Sequence, residues 1–387
     1  MSRWYRPTGS RPASAAYDGA VARIGIVGLG LMGGSLGLAA RDPRAAHHVI
    51  GYDPDRAARA SALAQGCVDL AEDSLDAIAG CEIAIVCAPV TKLPAVIGEV
   101  LAAAPEATVS DIGSTKVGVI AGIAAIERHR FIGGHPMCGL ELRGADHASG
   151  ELFAGATWFL TPTIEVDPDR HRDLHRFIAS TGAVPRAIDA PAHDRLLALI
   201  SHLPHALANM LVNQAGDARI AGHDPLAAIG GSFRDMTRVA GANPRIWVDI
   251  FLENRVELAT ALREHQRATA ELVTALEAGD AGFLARWIAQ ASSNRKRSLA
   301  AQFATPPEDL YRVSVHIASH PGVFAGITQG LGAARINIED FEMHHESAER
   351  GGLLELIVAG EDVAARCCAL LDEQGYSAIA VRVVEEP

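Results

Sequence analysis

Apolar and polar positions follow two different rhythms along this chain. Up to about residue 190, short apolar runs at 24–27, 49–52, 83–88, 108–110, 131–133, 158–161 and 184–188 are separated by longer stretches, with helical spacing at 33–41 and 56–65. Apolar runs alternating with helical stretches predict βα units, and hence a doubly wound α/β domain over 23–190. From residue 191 to 304 the apolar positions recur at helical spacing, as at Ile246, Ile250, Val256, Leu258 and Leu262, with few β-branched runs. This predicts an all-helical domain. Thr305-Pro-Pro-Glu308 interrupts that pattern and reads as a linker over 305–309. Beyond it, strand 311–318, helix 322–331, strand 336–343, turn 349–352, strand 353–358, helix 363–374 and strand 378–384 predict a small ferredoxin-like α+β module over 310–387. Residues 1–22 are rich in Arg, Ser, Pro and Ala, have no apolar run, and read as a disordered tail.

A chain of 387 residues is too long for one ordinary core, which agrees with a division into three folded domains. The formal net charge of −12 argues against nucleic acid or an anionic membrane as partner and leaves small metabolites open. The apolar stretch 196–212 is interrupted by Ser201, His202, Pro204, His205 and Asn209, so no uninterrupted run approaches the ~18 residues of a membrane span. The six cysteines have no CxxC spacing and suit a reducing compartment. A soluble, cytoplasmic protein is therefore expected.

The chemistry begins at Gly28-Leu-Gly-Leu-Met-Gly33, which follows a predicted strand and opens a helix. Gly28 permits the turn, Gly30 lets backbone approach a pyrophosphate, Gly33 packs helix on strand, and Leu31 and Met32 head the helix. Asp53, 20 residues beyond Gly33, ends the next strand, where a carboxylate hydrogen-bonds ribose hydroxyls and repels a 2′-phosphate. NAD is the expected cofactor, with Arg56 and Arg59 nearby as the only counterweight toward NADP. A glycine-rich turn without a nucleotide would leave Asp53 unexplained. Downstream, Asp111-Ile-Gly-Ser-Thr-Lys116 and Gly134-His-Pro-Met-Cys-Gly139 bring Ser114 and His135 to the nicotinamide end. A histidine with an ordinary pKa of ~6.5 is suited to taking a hydroxyl proton as hydride leaves, which points to a dehydrogenase.

Gly-Ser-Thr-Lys (113–116), Gly-His-Pro-Met-Cys-Gly (134–139), Leu-Thr-Pro (160–162), Ser-His-Leu-Pro-His (201–205) and Phe-Arg-Asp-Met-Thr-Arg (233–238) together resemble the prephenate dehydrogenase family, over about residues 23–300. The resemblance implies a Rossmann-type NAD domain followed by a helical dimerisation domain, and so a homodimer. It implies oxidative decarboxylation of prephenate to 4-hydroxyphenylpyruvate in tyrosine biosynthesis, with His135 accepting the ring-hydroxyl proton and Ser114 orienting His135 or the hydroxyl. Arg238 would grip a substrate carboxylate, His205 and Ser201 would line the side-chain end, and Trp247 would form an aromatic wall. Arogenate dehydrogenase shares every motif and remains the alternative. A catalytically dead nucleotide sensor is the other, against which the joint presence of Ser114, His135 and Arg238 speaks. β-Hydroxyacid dehydrogenases would need a lysine in the helical domain, and 190–295 contains none. For His193, His202 and His205 neither an HExxH pattern nor a carboxylate supplies the usual remaining ligands, so no metal is expected. Cys138 and Arg143 depart from the family pattern, and Arg143 is an added cation near the active-site loop that would favour prephenate over arogenate. His320-Pro-Gly-Val-Phe324 and Arg335-Ile-Asn-Ile338 resemble an ACT module, which implies an L-tyrosine effector near Gly322, Val323 and Asn337. Ser319 and His320 stand where such modules usually carry an acid.

Overall fold

In the computed structural model the described residues are 22–43, 45–139, 142–302, 309–318, 320–347 and 351–383. They fall into two compact units, one containing residues 22–228 and 236–265, the other 229–235 and 266–383.

The first unit is built on β1 (Arg23–Val27), α1 (Leu31–Ala40), β2 (His48–Tyr52), α2 (Arg56–Ala64), β3 (Leu70–Glu72), β4 (Ile83–Val86), α3 (Leu93–Ala103), β5 (Thr108–Asp111), α4 (Val117–Ala121), β6 (Phe131–Pro136), β7 (Thr157–Thr161), α5 (Pro168–Ser180) and β8 (Val184–Ala187). The strands form one eight-stranded sheet in the order β3-β2-β1-β4-β5-β6-β7-β8. All neighbours are parallel except β6 and β7. Side chains alternate between two cores: Ile24, Ile26 and Ile85 with Leu36, Trp158 and Phe177 on one face, Val27, Val86 and Val109 with Ile97 and Phe131 on the other. Strands buried on both faces read as continuous apolar runs, which is why the sequence pattern located them.

Three details differ from the sequence reading. β3 was not expected: it is a three-residue edge strand with Leu70 48% exposed, so it carries no apolar run. The antiparallel direction of β7 has no counterpart in the hydrophobic pattern. Ala22, assigned to the tail, is buried, donates its N–H to His47 Nδ1 at 3.2 Å and accepts from His48 N at 3.0 Å. The rest of the expected tail, 1–21, lies outside the described residues.

Helical structure follows in α6 (Ala190–Leu197), a π-helical turn (Ala198–His202), α7 (Leu203–Asp217), α8 (Gly231–Thr237), α9 (Pro244–Glu253) and α10 (Arg255–Ala278). The continuous helix Ala190–Asp217 is long and apolar enough to cross a bilayer. It nevertheless buries His193, Asp194, His202 and His205, and the first three are hydrogen-bonded inside the protein as described below.

The second unit continues through the end of α10 into α11 (Ala281–Gln302), then β9 (Leu310–Ile317), α12 (Val323–Ala333), β10 (Asp340–Ser347), β11 (Gly351–Ala359), α13 (Glu361–Glu373) and β12 (Ala378–Arg382). The four strands are antiparallel in the order β10-β11-β9-β12, a βαββαβ arrangement of ferredoxin-like type. Val313, Val315, Leu354 and Leu356 pack against Ile327, Leu331, Cys367 and Leu371. The expected strand 336–343 instead occupies 340–347. Arg335 turns the chain at φ +56°, and Ile336 is buried as part of this core rather than entering the ladder. Of the expected turn, 349–352, residues 349–350 lie outside the described residues and Gly351 and Gly352 instead begin β11, while the expected linker, 305–309, lies outside them except for Asp309.

Candidate active site

The glycine loop has the three separate geometries that its spacing requires. Gly28 has φ +102°, and a Cβ there would meet the Cys87 carbonyl oxygen at 2.5 Å. A Cβ on Gly33 would lie 1.9 Å from the Gly28 oxygen, so α1 sits directly on the loop. Gly30, by contrast, faces open space with nothing within 4 Å of a built Cβ. It caps α1 without a side chain, leaving the Leu31 and Met32 amides at the positive end of the helix to face an anion. Asp53 is tied to the loop through Leu29 N–H to Oδ2 and Asp55 N–H to Oδ1, both 2.8 Å. Its carboxylate keeps acceptor capacity for a ribose diol. Arg59 donates to the Asp53 carbonyl at 2.7 Å and pairs with Asp73 at 3.6 Å, so this arginine is already engaged. The donors, the open approach and the acid together fit a dinucleotide.

Two strands along the sheet from β1, Asp111 at the end of β5 and Lys116 just beyond it are fully buried and paired with each other. They grip Gly134 from both sides: Lys116 Nζ donates to its carbonyl at 2.8 Å, and its N–H donates to Asp111 Oδ1 at 3.0 Å. Burial lowers the Lys116 pKa, against the raising effect of Asp111. The clamp fixes the backbone immediately before His135, the residue at the end of β6.

His135 is buried, and its Nδ1 lies 2.9 Å from His193 Nε2. His193 Nδ1 in turn lies 2.8 Å from Asp194 Oδ1. The same carboxylate accepts the Lys116 N–H at 2.8 Å and the Val117 N–H at 2.9 Å, so Asp194 also anchors the start of α4 beyond the Ser114 loop. Asn254 Nδ2 donates to the Asp194 carbonyl at 2.8 Å and lies 3.1 Å from His202 Nδ1. Burial above all, then the neighbouring His193, Lys116 and His202, hold the His135 pKa well below the ordinary histidine range. Burial similarly takes His202 down to about 4. Both imidazoles are neutral at neutral pH, and a neutral imidazole can accept a proton.

The remaining residues singled out from the sequence are distributed as follows. Ser114 is half-buried in the β5–α4 loop, while His135 Nδ1 shares its hydrogen bond with His193. Ser201 lies half-buried in the π-helical turn. His205 is stacked on Trp247 with ring centroids 3.6 Å apart and an interplanar angle of 7°, so these two residues are brought together. Arg238 is exposed and opens a short 3-10 turn, Arg238–Gly241, that packs against α7. In the second unit, Gly322 (φ +95°) caps α12, and Val323 lines a cavity of about 220 Å³ with Ile317, His320, Pro321, Phe324 and Met343. Asn337 lies outside that lining and donates to Glu339 at 2.8 Å. Sequence reasoning missed Asp194 and Asn254 and considered His193 only as a metal ligand. The one local signal was a His-Asp pair in the first turns of a helix capped by Asp189.

Residues 36–186 match the family model for the prephenate dehydrogenase nucleotide-binding domain, and 189–290 match that for its dimerization domain. A prephenate dehydrogenase of Bacillus subtilis is 30% identical over 342 residues, covering 87% of this chain and 92% of the relative. The structure of A. aeolicus prephenate dehydrogenase in complex with hydroxyphenyl propionate and NAD+ superposes with a TM-score of 0.68 at 27% identity, covering 72% of this chain and 99% of that one. Synechocystis arogenate dehydrogenase superposes with a TM-score of 0.66 at 28% identity, covering 71% of this chain and 99% of that one. With its nucleotide cradle, its histidine site and these likenesses, the chain belongs to the prephenate dehydrogenase family.

Proposed function

We propose that this enzyme oxidises prephenate with NAD to 4-hydroxyphenylpyruvate, CO₂ and NADH. The observation that carries the reading is the buried, neutral His135 at the end of β6, in the same sheet whose first turn forms the dinucleotide cradle. NAD, when bound, supplies the hydride acceptor, and Gly28, Gly30, Leu31, Met32, Gly33 and Asp53 would hold it. His135 takes the ring-hydroxyl proton as hydride leaves the carbinol carbon, loss of the ring carboxylate as CO₂ aromatises the ring, and the phenolate recovers the proton. Aromatisation supplies the driving force, so the protein's task is orientation and proton transfer. Arg238 grips a substrate carboxylate, a task suited to a planar and permanently charged fork. Ser114 orients the hydroxyl, while Ser201, His205 and Trp247 line the side-chain end.

The second reading, oxidation of arogenate to tyrosine, has a specific support in the comparable likeness to the Synechocystis arogenate dehydrogenase. The chain works as a cytoplasmic homodimer in this account, and its ferredoxin-like module is an ACT domain whose cavity at Val323 receives L-tyrosine. The test offers prephenate and arogenate in parallel, each with NAD and NADP, with and without L-tyrosine. Fastest NADH formation from prephenate with NAD, slowed by tyrosine, is the expected result. Faster turnover of arogenate selects the second reading, and turnover of neither overturns both in favour of a sensor.

A further inference from the structure

We infer that His193 and Asp194 are positioning residues that hold His135 in the one tautomer able to act as a base through Nε2. This rests on the function proposed above. An ionised carboxylate only accepts hydrogen bonds, so the 2.8 Å contact at Asp194 Oδ1 requires His193 Nδ1 to carry the proton. In neutral His193, Nε2 is then the acceptor, and the 2.9 Å contact requires His135 to donate from Nδ1. A neutral His135 protonated on Nδ1 leaves Nε2 with its lone pair for the substrate hydroxyl. Asp194 is itself fixed by the Lys116 and Val117 amides and, through its backbone carbonyl, by Asn254. The tautomer is thus set by the junction of α4, α6 and the α9–α10 turn. When His135 Nε2 gains the hydroxyl proton, its Nδ1 proton can pass to His193 Nε2, placing the positive charge beside the Asp194 carboxylate. The other ionisable groups facing His135 are the Lys116–Asp111 pair from the β5–α4 segment and His202 from the π-helical turn.

The test combines ¹⁵N-histidine NMR of the free enzyme with kinetics of two variants. His135 in wild type is expected to show a protonated Nδ1 and an unprotonated Nε2. His193→Leu, which offers no acceptor, is expected to mix the tautomers and lower kcat by about 10²–10⁴-fold with little change in KM for prephenate or NAD. His193→Gln carries an acceptor and a donor at opposite ends of its amide and should recover most of that loss. A wild-type His135 protonated on Nε2, a His193→Leu kcat within threefold of wild type, or a Gln variant as impaired as the Leu variant would overturn the inference. If His193→Leu does not fold, the wild-type spectrum and the Gln variant decide. Absence of prephenate turnover by wild type would refute the proposed function, and the spectrum would still decide the tautomer.

Discussion

At the scale of single residues, the site depends on groups that burial has forced into particular protonation states. In the proposed reaction His135 serves as the base because it is neutral, and removing it should then cost what general-base catalysis contributes. His135→Asn is expected to lower kcat by about 10²–10⁴-fold while NAD binding, read by fluorescence titration, stays near wild type. A variant losing cofactor affinity and turnover together would show His135 to be a structural residue. Lys116 makes a different prediction. Lys116→Met leaves Asp111 charged and buried without its partner, which should destabilise the fold by about 3–5 kcal/mol in a urea titration. A loss below about 1 kcal/mol would mean that water or another donor replaces the lysine. Much of this was legible in sequence: His135, Ser114 and Arg238 stand in short distinctive motifs. Their partners were not, because His193 lies 58 residues beyond His135 and only the fold makes them neighbours.

At the scale of elements, the β1–α1 turn separates two uses of glycine that a motif writes alike. Gly33→Ala drives a methyl onto the Gly28 oxygen and should cost roughly 1–3 kcal/mol of stability as an overpacking substitution. Gly30→Ala adds its methyl to open space at an ordinary φ of −78°, so stability should change by no more than about 0.5 kcal/mol while NAD affinity falls. Thermal unfolding and calorimetric titration of the two variants distinguish these outcomes. Equal destabilisation by both would mean that Gly30 is a packing position. The same contrast between local and global causes explains which elements the sequence revealed. β1 and β4 are buried on both faces and announce themselves as apolar runs. β3 is a short edge, the reversed direction of β7 leaves no mark on its apolar run, and β10 begins only after Arg335 turns the chain at positive φ.

At the scale of the whole molecule, buried neutral histidines link folding to pH. His135 and His202 have folded pKa values below the unfolded ~6.5, so as pH falls through that value the unfolded chain takes up protons that the folded chain refuses. Stability should therefore fall between pH ~6.5 and ~4 by up to about 1.4 kcal/mol per pH unit for each histidine. Denaturant midpoints across that range test this, and midpoints that do not move would show that neither histidine is held neutral. Ile246, Val248 and Leu252 on α9 and Val256 on α10 are exposed in the single chain, as an interface between copies requires. The most direct test of the account as a whole remains hydride transfer itself, measured as NADH formed from prephenate by wild type and by His135→Asn at matched NAD saturation. The account predicts rapid turnover by wild type and a loss of about 10²-fold or more in the variant. An inert wild type, or a variant as fast as wild type, would contradict it.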